Sequence, residues 1–152
     1  MPQSEIEVAP AGPEDVDLIA PLFDAYRQFY QQPADLPAAR AFLSQRLERQ
    51  ESVILLATIN REPVGFTQLY PSFSSVRMQP LWILNDLFVT PVHRRSGAAR
   101  ALLTAAADFA RARHACRLVL ATAKDNHPAQ SLYRECGWKL DTTFDHFEFG
   151  LG

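Results

Sequence analysis

The chain has 152 residues, 47% hydrophobic and 21% charged, enough to bury one full core. A formal net charge of -2 gives no concentrated positive surface for nucleic acid, and no run of about 18 apolar residues offers a membrane span. Cys116 and Cys136 are too few for a disulfide framework and lack the neighbours of a zinc site, and the start shows no leader, so the expectation is one cytoplasmic domain over residues 1–152 without a metal.

Residues 5–8 alternate polar and apolar and predict a short first strand. Gly12 and Pro13 turn the chain, with Glu14 and Asp15 as first-turn acids. Val16, Ile19, Leu22, Phe23, Tyr26 and Tyr30 then recur at helical spacing. They predict a helix to about Gln31, with a kink point at Pro21 and a stop at Pro33. A second helix begins near Pro37, with Ala38, Phe42, Leu43 and Leu47 on one face. Residues 52–59 and 64–73 predict a hairpin turning at residues 60–63. Residues 80–89 are nearly all apolar, as a buried central strand requires, except for Asn85 and Asp86, which mark a functional irregularity. There follow an alanine-rich helix over 101–113, a strand over 117–123 and a helix over 127–136 ended by Gly137. Strands over 138–140 and 143–149 close the order.

The most informative segment is the passage from the strand ending at Val89 into the alanine-rich helix. Gly97, Ala98 and Ala99 let backbone N–H groups approach a ligand closely, the helix N-terminus adds positive potential, and Arg94 and Arg95 answer phosphate charge. A diphosphate fits that description. The segment is neither a Walker loop nor a dinucleotide fingerprint, and taken alone it also reads as an ordinary helix start with exposed arginines.

On these residues the chain resembles the GNAT family of N-acetyltransferases. The family's pyrophosphate loop, Gln/Arg-x-x-Gly-x-Gly/Ala, is matched by Arg94, Arg95, Ser96, Gly97, Ala98 and Ala99. A second family motif, Asn-x-x-Ala-x-x-Leu/Phe-Tyr-x-x-x-Gly-Phe/Trp, is matched by Asn126, Ala129, Leu132, Tyr133, Gly137 and Trp138. The resemblance covers nearly the whole chain. It implies a mixed α/β (α+β) fold with a mostly antiparallel, splayed central sheet of about seven strands and about four helices. It implies acetyl-coenzyme A as donor, with the backbone of Leu87, Phe88 and Val89 along the pantetheine arm. The loop from Arg94 to Arg100 would hold the pyrophosphate, and Asn126, Ala129 and Tyr133 would lie near the pantetheine and thioester. Tyr133 is implied as the general acid for the departing thiolate. A phenol of reference pKa about 10 stays protonated beside a thiol of about 8.5. The competing reading is a core tyrosine on a short amphipathic helix.

The acceptor side follows from chemistry. A primary alkylammonium, of reference pKa about 10.4, must lose a proton before it attacks a thioester. Asp86 is the candidate base, directly or through water, against a structural carboxylate at a bulge as the alternative. Asn85 and Asp86 resemble the Glu-Asp pair of the polyamine and thialysine acetyltransferases, with Asn85 as a departure because an amide is not a base. Tyr26 and Tyr30, four residues apart with Asp24 and Asp35 nearby, suit an alkylammonium by cation–π and carboxylate contacts. Core packing is the competing reading. The expected reaction is direct attack by the primary amine of a small molecule, such as a polyamine, an amino acid or a lysine-like compound. A protein lysine or N-terminal acetyltransferase and a non-catalytic acyl-coenzyme A sensor are the rivals. By family analogy a homodimer is expected.

Overall fold

The computed structural model describes residues 5–152; the leaderless start was read partly on residues 1–4, which lie outside the described residues. Where β-branched and aliphatic residues crowd between 53 and 89, the chain folds back on itself twice. Strands β2 (Val53–Ile59) and β3 (Glu62–Ser74) form the expected hairpin, and β4 (Gln79–Val89) extends it. Asn60 and Arg61 have φ of 51° and 66°, the left-handed pair of a two-residue hairpin turn whose twist matches the strands. The strand β1 (Ile6–Ala11) pairs antiparallel with β2, and a two-residue β5 (Leu118–Val119) pairs parallel with β4. The sheet order is therefore β1-β2-β3-β4-β5. The parallel step needs a crossover, which helix α3 (Ala98–Ala112) supplies.

Two further helices lie between β1 and β2. Helix α1 (Val16–Phe29) follows a single 3-10 turn, Pro13–Asp15, in which the Asp15 carboxylate accepts the Gly12 N–H at 2.9 Å. Pro21 stays inside α1 without ending it and sits on its exposed side. Helix α2 (Leu36–Glu48) is capped by Asp35, whose carboxylate accepts the Ala38 N–H at 3.1 Å. The core joins Ile19, Leu22 and Phe23 of α1 and Leu43 and Leu47 of α2 to Ile54, Leu56, Phe66 and Phe88 of the sheet. Helix α3 buries its own stripe of Leu102, Leu103, Ala106 and Ala110.

These elements form one unit, ending at Ala121; Thr122–Gly152 form a second, described by itself. Its helix α4 (His127–Glu135) is capped by Asn126, whose Oδ1 accepts the Ala129 N–H at 3.3 Å. It ends as expected at Gly137, with φ 92°. There the N–H groups of Gly137 and Trp138 return to the carbonyls of Arg134 and Tyr133 at 3.1 and 2.9 Å.

The mixed α/β architecture, mostly antiparallel sheet and four α-helices match expectation, while the strand count is five among the described residues rather than about seven. Residues 138–149 form no ladder with other described residues, and the strand expected over 117–123 contracts to Leu118–Val119. The alternation of Phe147, Phe149 and Leu151 with Glu148 and Gly150 is strand-like, but a pattern becomes a strand only where another edge receives its hydrogen bonds. Here Phe147 is 96% and Leu151 93% exposed. Among the described residues no helix is long and apolar enough to cross a membrane.

Candidate active site

The irregularity expected in the central strand is a β-bulge. Gln68 lies opposite Asp86 while Leu69 lies opposite Leu84, so Asn85 is one residue too many on β4. The bulge leaves Asn85 exposed and Asp86 buried, at 6% exposure. The backbone is pinned there by Thr67, whose hydroxyl donates to the Asp86 carbonyl at 2.8 Å. Because Phe66 pairs with Phe88 and Gln68 with Asp86, alternation puts all four on the α1 side of the sheet. Tyr26 of α1 packs there, its ring centroid 5.8 Å from Phe66 and 6.1 Å from Phe88, and Tyr30 stacks edge-on against it at 5.1 Å.

The Asp86 carboxylate accepts hydrogen bonds from Gln68 Nε2 at 2.8 Å, from Asn85 Nδ2 at 3.1 Å and from the Tyr26 hydroxyl. Burial raises its pKa above the ordinary carboxylate value and outweighs the three hydrogen bonds, which act to lower it. The Tyr70 phenol on β3 is also raised, first by burial and then by the Asp86 charge, with Arg46 acting in the opposite sense. A buried carboxyl poised above its usual range beside aromatic rings suits both holding a cation and taking a proton from it.

The expected donor residues lie at the end of the same strand. Among the described residues β4 and β5 pair at Trp82 with Leu118 and Ile83 with Val119, and beyond Ile83 the β5 side of β4, including Leu87, Phe88 and Val89, has no strand partner there. Strand backbone left in that way needs hydrogen-bond partners from elsewhere, and an extended amide-bearing ligand can supply them. After Val89 a 3-10 turn, Pro91–His93, leads into the loop. Arg95 has φ 64° and Gly97 φ 91°, and Gly97 is the N-cap of α3. The cap residue brings no side-chain oxygen to the helix N-terminus. Ser96 Oγ accepts the Ala98 N–H at 3.3 Å, and Ala101 bonds back to the Gly97 carbonyl at 3.0 Å. Arg95, Ser96, Gly97 and Arg100 are exposed, Ala99 half-buried and Ala98 buried. The glycine conformation and the positive helix end fit a pyrophosphate. Arg94 is exposed as well; its Nε donates to the Val89 carbonyl at 3.2 Å, and its guanidinium lies 5.8 and 5.9 Å from the Phe29 and Phe88 ring centres.

In the second unit the Asn126 side chain caps α4, Ala129 is half-buried in its first turn, and Tyr133 is half-buried one helical turn further on. The Tyr133 ring lies 6.1 Å from that of Trp138. Asp24 and Asp35 prove to be structural. Asp24 Oδ1 accepts the Asp35 N–H at 2.9 Å and Asp35 caps α2, so both carboxylates fix the α1–α2 connection. His93 bonds Thr90 at 3.0 Å, and His127 and His146 are exposed. Among the described residues no group of His, Cys, Asp and Glu side chains gathers as metal ligands would.

Gln68 and Tyr70 were missed by sequence reasoning. A polar pair, Thr67 and Gln68, inside the apolar run of β3 was the available signal, since polar residues on a buried strand need partners.

The sheet, helices and loop together are those of an acyl-group transferase of mixed α/β architecture. A crystal structure of a probable acetyltransferase superposes with a TM-score of 0.92 at 41% identity, covering 96% of this chain and 98% of that one. Residues 19–138 match the model of the acetyltransferase (GNAT) family, and the chain belongs to that family as an acetyl-coenzyme A-dependent N-acetyltransferase. An uncharacterized N-acetyltransferase of Bacillus subtilis, YhfO, is 51% identical over 142 residues, 93% of this chain and 95% of that protein. A probable acetyltransferase of Haemophilus influenzae is 33% identical over 138 residues, 90% and 92% of the two chains.

Proposed function

We propose that the chain acts as one cytoplasmic catalytic domain, residues 1–152, acetylating the primary amine of a small cationic molecule by direct attack. The acceptor class is that of polyamines, amino acids and lysine-like amines. The observation that carries this reading is the buried Asp86 at the β4 bulge, its pKa raised by burial, with Tyr26 hydrogen-bonded to it and Tyr30 stacked on Tyr26. Aromatic faces and a carboxylate are the groups that hold an alkylammonium, and a raised carboxyl is the better base for deprotonating it. Asn85 keeps its place beside Asp86 as a donor rather than a base, which supports the resemblance to the polyamine and thialysine branch in position but not in role.

In this reading acetyl-coenzyme A supplies a thioester carbonyl. Leu87, Phe88 and Val89 run alongside its pantetheine. Arg94, Arg95, Ser96, Gly97, Ala98, Ala99 and Arg100 hold its pyrophosphate. Asn126 and Ala129 border the pantetheine. Asp86, directly or through water, takes the amine proton, a backbone N–H near Leu87 steadies the oxyanion, and Tyr133 returns a proton to the leaving sulfur. A homodimer is part of the proposal, supported by the exposed apolar alternation of Phe147, Phe149 and Leu151.

The test is release of coenzyme A from acetyl-coenzyme A with a panel of polyamines, lysine analogues, amino acids and peptides, run beside Tyr133→Phe and Asp86→Asn. Turnover with one small amine, reduced in both variants, is the expected result. Turnover on peptides alone would move the acceptor to protein, and tight donor binding without turnover would make the chain a sensor.

A further inference from the structure

Among the described residues, those that hydrogen-bond the Asp86 carboxylate do so as donors: Gln68 Nε2, Asn85 Nδ2 and the Tyr26 hydroxyl. That set suits the anion. Once the carboxyl is neutral it carries an O–H of its own, and a donor facing three donors must find an acceptor. One is already on this wall. Gln68 is fully buried, and its Oε1 has no hydrogen-bond partner among the described residues, although its Nε2 lies 2.8 Å from Asp86 Oδ2. A buried acceptor left unpaired is a standing cost that calls for an explanation. A primary amide offers one, because half a turn about its last bond exchanges donor and acceptor with little change of shape.

We propose that Gln68 is a positioning residue whose side-chain amide turns over with the protonation state of Asp86, donating through Nε2 to the carboxylate and accepting through Oε1 from the neutral acid. The register holds the two residues opposite each other at the bulge, and Thr67, the neighbour of Gln68, fixes the Asp86 backbone, so the amide can turn without the strands moving. The other titratable or charged groups facing this wall are Tyr26 from α1, Tyr70 from β3, Arg46 from α2, which acts on Tyr70, and Arg94 from the loop after β4, whose guanidinium lies 5.9 Å from the Phe88 ring centre. Tyr26 can rotate its hydroxyl and Asn85 carries an amide of its own, but Asn85 is exposed to water, whereas the Gln68 acceptor is fully buried beside Asp86. The inference rests on the reading of Asp86 as the base: in that reaction the amine's proton arrives on a carboxyl with somewhere to point it.

The experiment is carried out on the full chain without ligands, following the Asp86 carboxyl carbon and the Gln68 side-chain amide signals by NMR across a pH titration. Both sets of signals are expected to move with one midpoint. Gln68→Met, which keeps the volume and removes the stronger bond to the anion, should raise the Asp86 midpoint by about one pH unit. Gln68→Glu is the second variant should the first not fold; two facing carboxyls sharing a proton should raise the midpoint further. Amide signals that ignore the Asp86 titration, or a midpoint unmoved by either variant, would overturn the proposal. The acid limb of kcat/KM is then measured on the same proteins. A limb that does not follow the NMR midpoint would leave the amide coupling standing and remove Asp86 as the base.

Discussion

At the scale of single residues, Asp86 ties the chemistry to the fold. Its folded-state pKa is raised, chiefly by burial, above the ordinary value of 3.8. Its contribution to stability is therefore complete below the unfolded value and is lost as pH rises through the folded one. Asp86→Asn should flatten the pH dependence of stability over that window, read from urea unfolding at a series of pH values. As the base, Asp86 must be ionised to act, so kcat/KM should rise with pH through the same raised value, and the Asn variant should lose roughly 10²–10⁴ in kcat. For Tyr133→Phe a kcat loss of roughly a hundredfold or more, with the KM for acetyl-coenzyme A nearly unchanged, is the mark of an acid used only as the thiolate departs. Asp86 was legible in sequence because a charge in an apolar strand is conspicuous. Gln68 was not, because an uncharged amide next to a threonine resembles ordinary strand polarity, and its partner is 18 residues away.

Among elements, the helices and the hairpin were read to within a few residues, since their signals are local: helical spacing in α1, alanine in α3, the turn residues over 60–63 between two β-rich runs. Arg61 keeps a φ of 66° that glycine adopts without strain. Arg61→Gly should therefore stabilise the protein by about 0.5–1 kcal/mol, measured by thermal or urea melts. Gly65 faces the opposite constraint. A methyl group there would sit 2.6 Å from the Phe88 carbonyl oxygen, on backbone that cannot move aside. Gly65→Ala should cost about 1–3 kcal/mol and disturb the strand end that leads to the Arg94 loop, with lowered melting temperature and weaker acetyl-coenzyme A binding as the readouts. The bulge position was visible as Asn85 and Asp86, but which of the two is the extra residue depends on the pairing with β3, and no local signal carries that.

For the whole molecule, the least legible part was the C-terminal segment, because alternation reports strand propensity and says nothing of where the partner edge is. Phe144, Phe147, Phe149 and Leu151 are 70–96% exposed, an apolar load for which a second copy is the proposed cover. Light scattering behind a sizing column should give twice the chain mass, and Phe147→Asp with Phe149→Asp should return it to one. A monomer at every concentration would reject the dimer and leave the enzyme assignment untouched. The bulge also bears on the sheet as a whole. One inserted residue reverses the alternation of β4 and adds twist two residues beyond Ile83, where pairing with β5 stops. In the proposed reading the sheet stops short of its own most cohesive form at the place where the acyl donor's amides would complete it. Excising Asn85 should let β5 zip further along β4, giving a protein that melts at higher temperature and has lost affinity for its acyl donor.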